Sequence, residues 1–175
     1  MDTRLIVTGH DDNGKAVFTS DEQVAPSTVS MMPGIGFNRL WGSDVPQTYP
    51  DDGAVPHALT YVPPVGGFRF LVTTMAPEGD ADEPLDMEQA FEEAEAKLPG
   101  LIAHMDPDEP GMHTTPTTDF DVLLSGTIVL ELDDGAEVTL SPGDVVIQNG
   151  TRHRWRNPGT EPAVLISAVI GAEQA

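Results

Sequence analysis

The chain has 175 residues, the size of one domain with a single core. Asp and Glu number 29 against 8 Lys and Arg, giving a formal net charge of -21, so phosphate backbones and anionic lipid surfaces are repelled and neither nucleic acid nor membrane is an expected partner. Cysteine is absent, which excludes disulfides, thiolate metal sites and cysteine nucleophiles and leaves only nitrogen and oxygen to hold any metal.

The first residues, Met1-Asp2-Thr3-Arg4-Leu5-Ile6-Val7, lack the basic flank and long apolar stretch of a secretory signal, and the longest apolar run, residues 163–172, is too short to span a bilayer. A cytoplasmic location is the default expectation. Leu5-Ile6-Val7 and Ala16-Val17-Phe18 flank Asp11-Asp12-Asn13-Gly14, where Asn-Gly supplies the positive φ of a tight turn, so the chain is expected to begin with a β-hairpin. Ser30-Met31-Met32 and residues 36–41 read as short extended pieces around the Pro33-Gly34 turn.

Residues 42–67 are rich in Pro, Asp and Gly and read as a long surface loop. Residues 68–75 alternate as a strand, with Phe68, Phe70, Val72 and Thr74 on one face and Arg69, Leu71 and Thr73 on the other. One helix is expected over residues 85–98, entered through Asp80-Ala81-Asp82-Glu83 and Pro84 and ended by Pro99-Gly100. Met87, Phe91, Ala94 and Leu98 form its apolar stripe, and Lys97 suits its carboxyl end.

Beyond Pro110 the pattern changes to short β-rich runs at 120–124, 127–132, 137–140, 144–147, 153–156 and 164–170, separated by Gly-, Asn- and Pro-rich turns. Strands so evenly spaced, with no room for crossover helices, make a barrel or a sandwich. A period of two places Asp119, Asp121 and Leu123 on one strand face and His153, Trp155 and Asn157 on one face of another. If both faces point inward, two imidazoles and a carboxylate meet at the barrel mouth. Such a set either binds a divalent ion or only hydrogen-bonds within the barrel.

These residues also form two motifs. His113-Thr114-Thr115-Pro116-Thr117-Thr118-Asp119, with Gly126 beyond it, and the run from Gly143 through Gln148, Asn149, Gly150 and His153 to Asn157 resemble the paired motifs of the cupin superfamily. The first departs from the family pattern in Thr115, where a second His is usual, and in Asp119, where Glu is usual; the second departs only in Gln148, where Pro is usual. The resemblance covers roughly residues 105–172 and implies an all-β cupin jelly-roll barrel. Residues 1–104 are then an amino-terminal β extension, with its Pro-rich loop and one peripheral helix, packed on that barrel in a single structural domain. A degenerate second cupin in residues 27–76 is the alternative.

The resemblance further implies a metal-dependent enzyme on a small organic molecule, aromatic or polyketide-like substrates included, with Fe, Mn, Ni or Zn on His113, Asp119 and His153. Dioxygenase, decarboxylase, isomerase, cyclase and lyase chemistry all fall within that range. Asp121 competes with Asp119 as ligand, and a spare carboxylate or His104 moves a proton. Thr115, Gln148 and Trp155 are the candidate substrate contacts, although Gln148 equally suits a capping contact with the Asn149-Gly150 turn. The alternative function is a metal-free, non-enzymatic ligand-binding cupin, which Thr115 favours. Cupins of this kind pair as homodimers, and the early hairpin suits strand addition to a partner. Arg152, Arg154 and Arg156 alternate with the inward positions, which suits salt bridges or, as a lesser reading, an anion-binding rim. His10 and His57 are given no role.

Overall fold

The computed structural model describes residues 1–55, 58, 60–79 and 85–174. The residues expected to lead into the helix, 80–84, and His57 lie outside the described set.

Ten strands form three antiparallel sheets. β1 (Thr3–His10) and β2 (Ala16–Val24) make the expected hairpin; the Asp11 carboxylate accepts from the Asn13 and Lys15 amides, and Gly14 takes φ 75°. A five-stranded sheet runs β3 (Ile35–Ser43), β4 (Phe68–Met75), β10 (Ala163–Gly171), β5 (Thr117–Ser125) and β8 (Val145–Asn149). The facing sheet runs β7 (Glu137–Leu140), β6 (Ile128–Glu131) and β9 (Arg154–Arg156). Met75, Leu123, Leu140, Leu165 and Ile128 from both sheets close into one buried cluster, so the architecture is a two-sheet jelly roll. β3 and β4 are full members of the larger sheet. Residues 27–76 thus supply two strands to the one barrel and form no second barrel.

The register puts Trp41, Phe70, Ala168, Phe120 and Ile147 in one row across the outer face of the larger sheet. The hairpin covers part of that face, where Leu5 and Val24 pack against a cluster of Leu40, Val72 and Val164. The inner face of β4 carries Arg69, Leu71, Thr73 and Met75. Arg69 is buried there, bonded to Asp44 and to the carbonyls of Ser43, Thr60 and Phe68.

Two expectations are corrected. Residues 30–32 turn rather than extend, because Val29 is pulled into a cluster with Phe37 and Leu98 and the chain must reverse before β3. α1 (Met87–Lys97), capped by the Asp86 carboxylate on the Glu88 and Gln89 amides, buries Ala90, Ala94 and the following Leu98, whereas Met87 is 59% and Phe91 50% exposed. The small residues let the carboxyl half sit close to the barrel, and the first turns point past it. Phe91→Ser should therefore change unfolding free energy by no more than about 0.5 kcal/mol, whereas Leu98→Ala should cost about 2–5 kcal/mol; urea denaturation of both variants checks the pair.

Candidate functional site

His113 and His153 form an isolated antiparallel bridge, each donating its amide to the other's carbonyl at 2.9 and 3.0 Å. Directly opposed residues put their side chains on the same side, so the two imidazoles lie with centroids 4.1 Å apart and planes inclined by 51°. Each ring fixes its tautomer on a backbone carbonyl: His113 Nδ1 sits 3.1 Å from the Gly111 oxygen, and His153 Nδ1 sits 2.9 Å from the Thr151 oxygen. A carbonyl oxygen only accepts, so Nδ1 carries the hydrogen and both Nε2 atoms keep free lone pairs. Burial holds both histidines below the usual imidazole range. His153 falls to about 4, lowered further by its neighbour His113 and opposed by its Thr151 bond.

Period-two alternation along β5 delivers Asp119, Asp121 and Leu123 to the interior, all buried. Asp119 Oδ1 is buried without a hydrogen-bond partner. Burial raises the Asp119 carboxyl to about 6, with Thr117 opposing. Burial likewise raises Asp121 to about 7, opposed by the Ser167 hydroxyl, which donates to its Oδ1 at 2.5 Å, and reinforced by the Asp119 charge.

These groups share a cavity of about 170 Å³. Its walls include Phe37, Leu71, Met75, Leu101 and Leu165, with Tyr61 edge-on to Phe37 and Trp155 edge-on to His153. Among the described residues, neither Lys nor Arg lines it. Thr115 also lines it, its hydroxyl sharing a 2.8 Å hydrogen bond with Thr117.

Three residues expected at the site lie elsewhere. His104 faces a cleft beside Thr114, Pro116 and Glu173, its Nδ1 3.2 Å from the Thr114 carbonyl oxygen, and reaches His113 only through its field. Gln148 is opposed to Asp119 in register and is buried, yet its amide donates to the Thr151 carbonyl at 3.3 Å and so holds the turn before His153. Asn157 is buried against backbone rather than in the cavity. Tyr61 and Ser167 were not singled out from the sequence. A lone polar residue in the apolar run of β10 marks Ser167, whereas only the fold brings Tyr61 inward from its loop.

The arginines form salt bridges. Arg152 binds Asp106, Glu109 and Asp133, tying the loop that carries Gly111 and His113 to the start of β9; Arg154 binds Glu131, and Arg156 binds Glu131, Glu137 and Glu78.

The expected metal set was His113, Asp119 and His153. Nitrogen and oxygen donors with free lone pairs are the right chemistry for a divalent ion, and the orphaned Asp119 oxygen points to a missing partner. Among the described residues, however, no three His, Asp or Glu side chains converge as an ion requires. Aspartate is one methylene shorter than the glutamate of the family motif, and Thr115 brings no imidazole. As arranged, the residues do not fit a three-ligand ion.

Residues 101–169 match the Cupin domain family model. These residues therefore carry a Cupin_2 domain of the cupin superfamily. It is 46% identical over 50 residues to oryzines biosynthesis cluster protein J of Aspergillus oryzae, 29% of this chain and 28% of that protein. It is 30% identical over 78 residues to the cupin-domain-containing oxidoreductase fogC of Aspergillus ruber, 41% and 38% of the two chains. To the cupin-domain-containing oxidoreductase srdD of Neurospora crassa it is 29% identical over 115 residues, 61% and 59%. The chain thus spans about a quarter to three fifths of the length of these relatives. The cupin domain of Schizosaccharomyces pombe Cnp3 overlays at a TM-score of 0.49 and 11% identity, over 98% of this chain and 89% of that one. No helix among the described residues is long and apolar enough to cross a membrane.

Proposed function

We propose that this chain is a small-molecule enzyme that moves protons on a substrate held in the apolar cavity, with Asp119 and Asp121 as the exchanging pair. The observation that carries this reading is the burial of two carboxyls on one face of β5, raised to about 6 and about 7, with no cation lining the cavity. Near neutrality such a pair holds roughly one proton between its members, so an ionised and a protonated carboxyl stand side by side. The ionised member removes a proton from carbon beside a carbonyl, and the protonated member returns one at another atom. The net change is an isomerisation or a ring closure that consumes no oxidant. The similarity to the oryzines biosynthesis cluster protein named above supports small-molecule work.

The test is solvent exchange. Enolisable aryl ketones and 1,3-diketones in deuterium oxide should exchange at least about tenfold faster with the protein than in buffer, and Asp121→Asn should remove the enhancement. Binding with no exchange beyond the Asp121→Asn background would overturn the enzyme reading and leave a ligand-binding cupin.

The two free Nε2 atoms and the unpartnered Asp119 oxygen favour a second reading, a divalent ion (Fe, Mn, Ni or Zn) on His113, His153 and Asp119 after movement of that carboxylate. Elemental analysis of untagged protein separates the two. Near-stoichiometric metal that is lost in a His113→Ala, His153→Ala double variant would replace the first reading with the second.

A further inference from the structure

Three atoms at the polar end of the cavity, on His113, His153 and Asp119, are hydrogen-bond acceptors, and Tyr61, Trp155 and Thr115 line the same cavity. Backbone carbonyls occupy both imidazole N–H groups, which leaves His113 Nε2 and His153 Nε2 as lone pairs facing outward from those bonds. Asp119 Oδ1 is a buried acceptor with nothing to accept from, and an unpaired buried oxygen costs free energy until a donor arrives. The one side-chain hydroxyl donated to the carboxyl pair by β10, that of Ser167, is already spent on Asp121. A ligand that pairs with these three atoms therefore brings donors of its own.

Charge narrows the class. A carboxylate or phosphate would face Asp119 and Asp121 with no Lys or Arg lining the cavity to receive it. An ammonium would give up its water among walls that are otherwise apolar, at a far greater desolvation cost than a neutral hydroxyl. The remaining walls are apolar, and Phe37 with Tyr61, and His153 with Trp155, meet at interplanar angles of 87° and 84°, offering ring faces and edges for a flat body.

We infer that the substrate is a neutral hydroxylated aromatic, a phenol whose O–H groups donate to His113 Nε2, His153 Nε2 and Asp119 Oδ1 while its ring and alkyl substituent lie against Phe37, Tyr61 and Trp155. The inference rests on the proposed reading of this cavity as the active site, and it names the substrate that site takes. Discrimination follows from the acceptors: an ether of the same shape leaves them unpaired, and a site built to bond a hydroxyl rejects the analogue that lacks it far more strongly than it rejects a change in size.

The probes are 4-propylphenol, 4-propylanisole, 4-propylbenzoate and 3-phenylpropylammonium, titrated calorimetrically into chelator-treated full-length protein at neutral pH. The phenol should bind at least about tenfold more tightly than the anisole, with the benzoate and the ammonium weaker still. Asp119→Leu, checked for folding by thermal melting, should bring phenol and anisole to within about twofold of each other. Should that variant fail to fold, the comparison of ligands on the native chain decides alone. Equal binding of phenol and anisole, or tighter binding of the benzoate or the ammonium, overturns the inference. Phenol selectivity without proton exchange would instead leave the substrate class standing and remove the enzyme reading, so the two failures are distinguishable.

Discussion

Asp121→Asn should yield a protein that is more stable than the parent at alkaline pH and at least about 10²-fold slower in proton exchange. The two effects have one origin. Asp121 is 4% exposed, and burial raises its carboxyl from 3.8 to about 7 against the opposing Ser167 bond. A carboxyl whose pKa is raised by folding costs nothing below pH 3.8, where it is protonated in both states. As pH rises through 3.8 toward about 7 the unfolded chain ionises and the folded chain does not, so stability falls, and above about 7 the full penalty is present. A shift of that size corresponds to a penalty of about 4 kcal/mol. Asparagine keeps an oxygen for the Ser167 hydroxyl and carries no charge. The variant should therefore melt roughly 8–16 °C higher than the parent at alkaline pH, with the gain shrinking to nothing as pH approaches 4. His153 has the opposite sign: held near 4 in the folded chain, it lowers stability as pH falls from 6.5 toward 4. That contribution is common to parent and variant, so it cancels when the two are compared at each pH. Thermal melts of both proteins across that range, alongside the exchange assay, check the prediction. A variant no more stable than the parent at alkaline pH would show that the Asp121 carboxylate is not desolvated, and the proton-exchange reading would lose its basis.

Much of this site can be read from alternation alone. The runs expected beyond Pro110 overlap β5 to β10 because all but Arg154–Arg156 are rich in β-branched residues and turns of Gly, Asn or Pro separate them, and period two then sends Asp119, Asp121 and Leu123 inward without further information. The same rule puts His153 and Trp155 in the cavity. Its failures are equally physical. Asn157 shares their parity, but β9 ends at Arg156, and one residue beyond a strand the side chain is free to serve the turn instead. Gln148 faces inward as its parity requires, yet its own turn satisfies it before any ligand can. Tyr61 lies in a Pro-rich loop where no period exists, and only the packing of Phe37 and the tie from the Tyr61 amide to the Pro99 carbonyl place it. The helix shows the limit of periodicity as a measure of contact. Residues 87, 91, 94 and 98 do share a face, but the barrel receives only the end of that face, and two alanines decide how closely it approaches.

Asn157→Ala should destabilise the fold about as much as truncating a buried apolar residue of the cavity wall, although the residue touches no substrate. Asn157 is 2% exposed, and its amide nitrogen donates to the Met75 carbonyl at 2.9 Å and to the Glu161 carbonyl at 2.9 Å. Its side-chain oxygen accepts from the Gly159 amide at 2.9 Å. Met75 ends β4 and Glu161 lies just before β10, so one side chain fastens the turn after β9 to the adjoining ends of two neighbouring strands of the larger sheet. Alanine would leave one buried carbonyl, and a half-buried carbonyl and amide, without partners. At about 1–3 kcal/mol for each unsatisfied buried group, less whatever water enters, the loss should reach roughly 3–5 kcal/mol. Leucine at this position should do no better, because the vacancy is one of hydrogen bonds and not of volume. Asn157→Asp should fall between parent and alanine: its oxygen still receives the Gly159 amide, but as an anion it offers nothing to the two carbonyls and repels them. Urea denaturation of the three variants at neutral pH tests the ranking. If the alanine variant loses less than about 1 kcal/mol, the Met75 and Glu161 carbonyls are served by water, and the sheets are held together by the Leu123, Ile128 and Leu165 cluster alone.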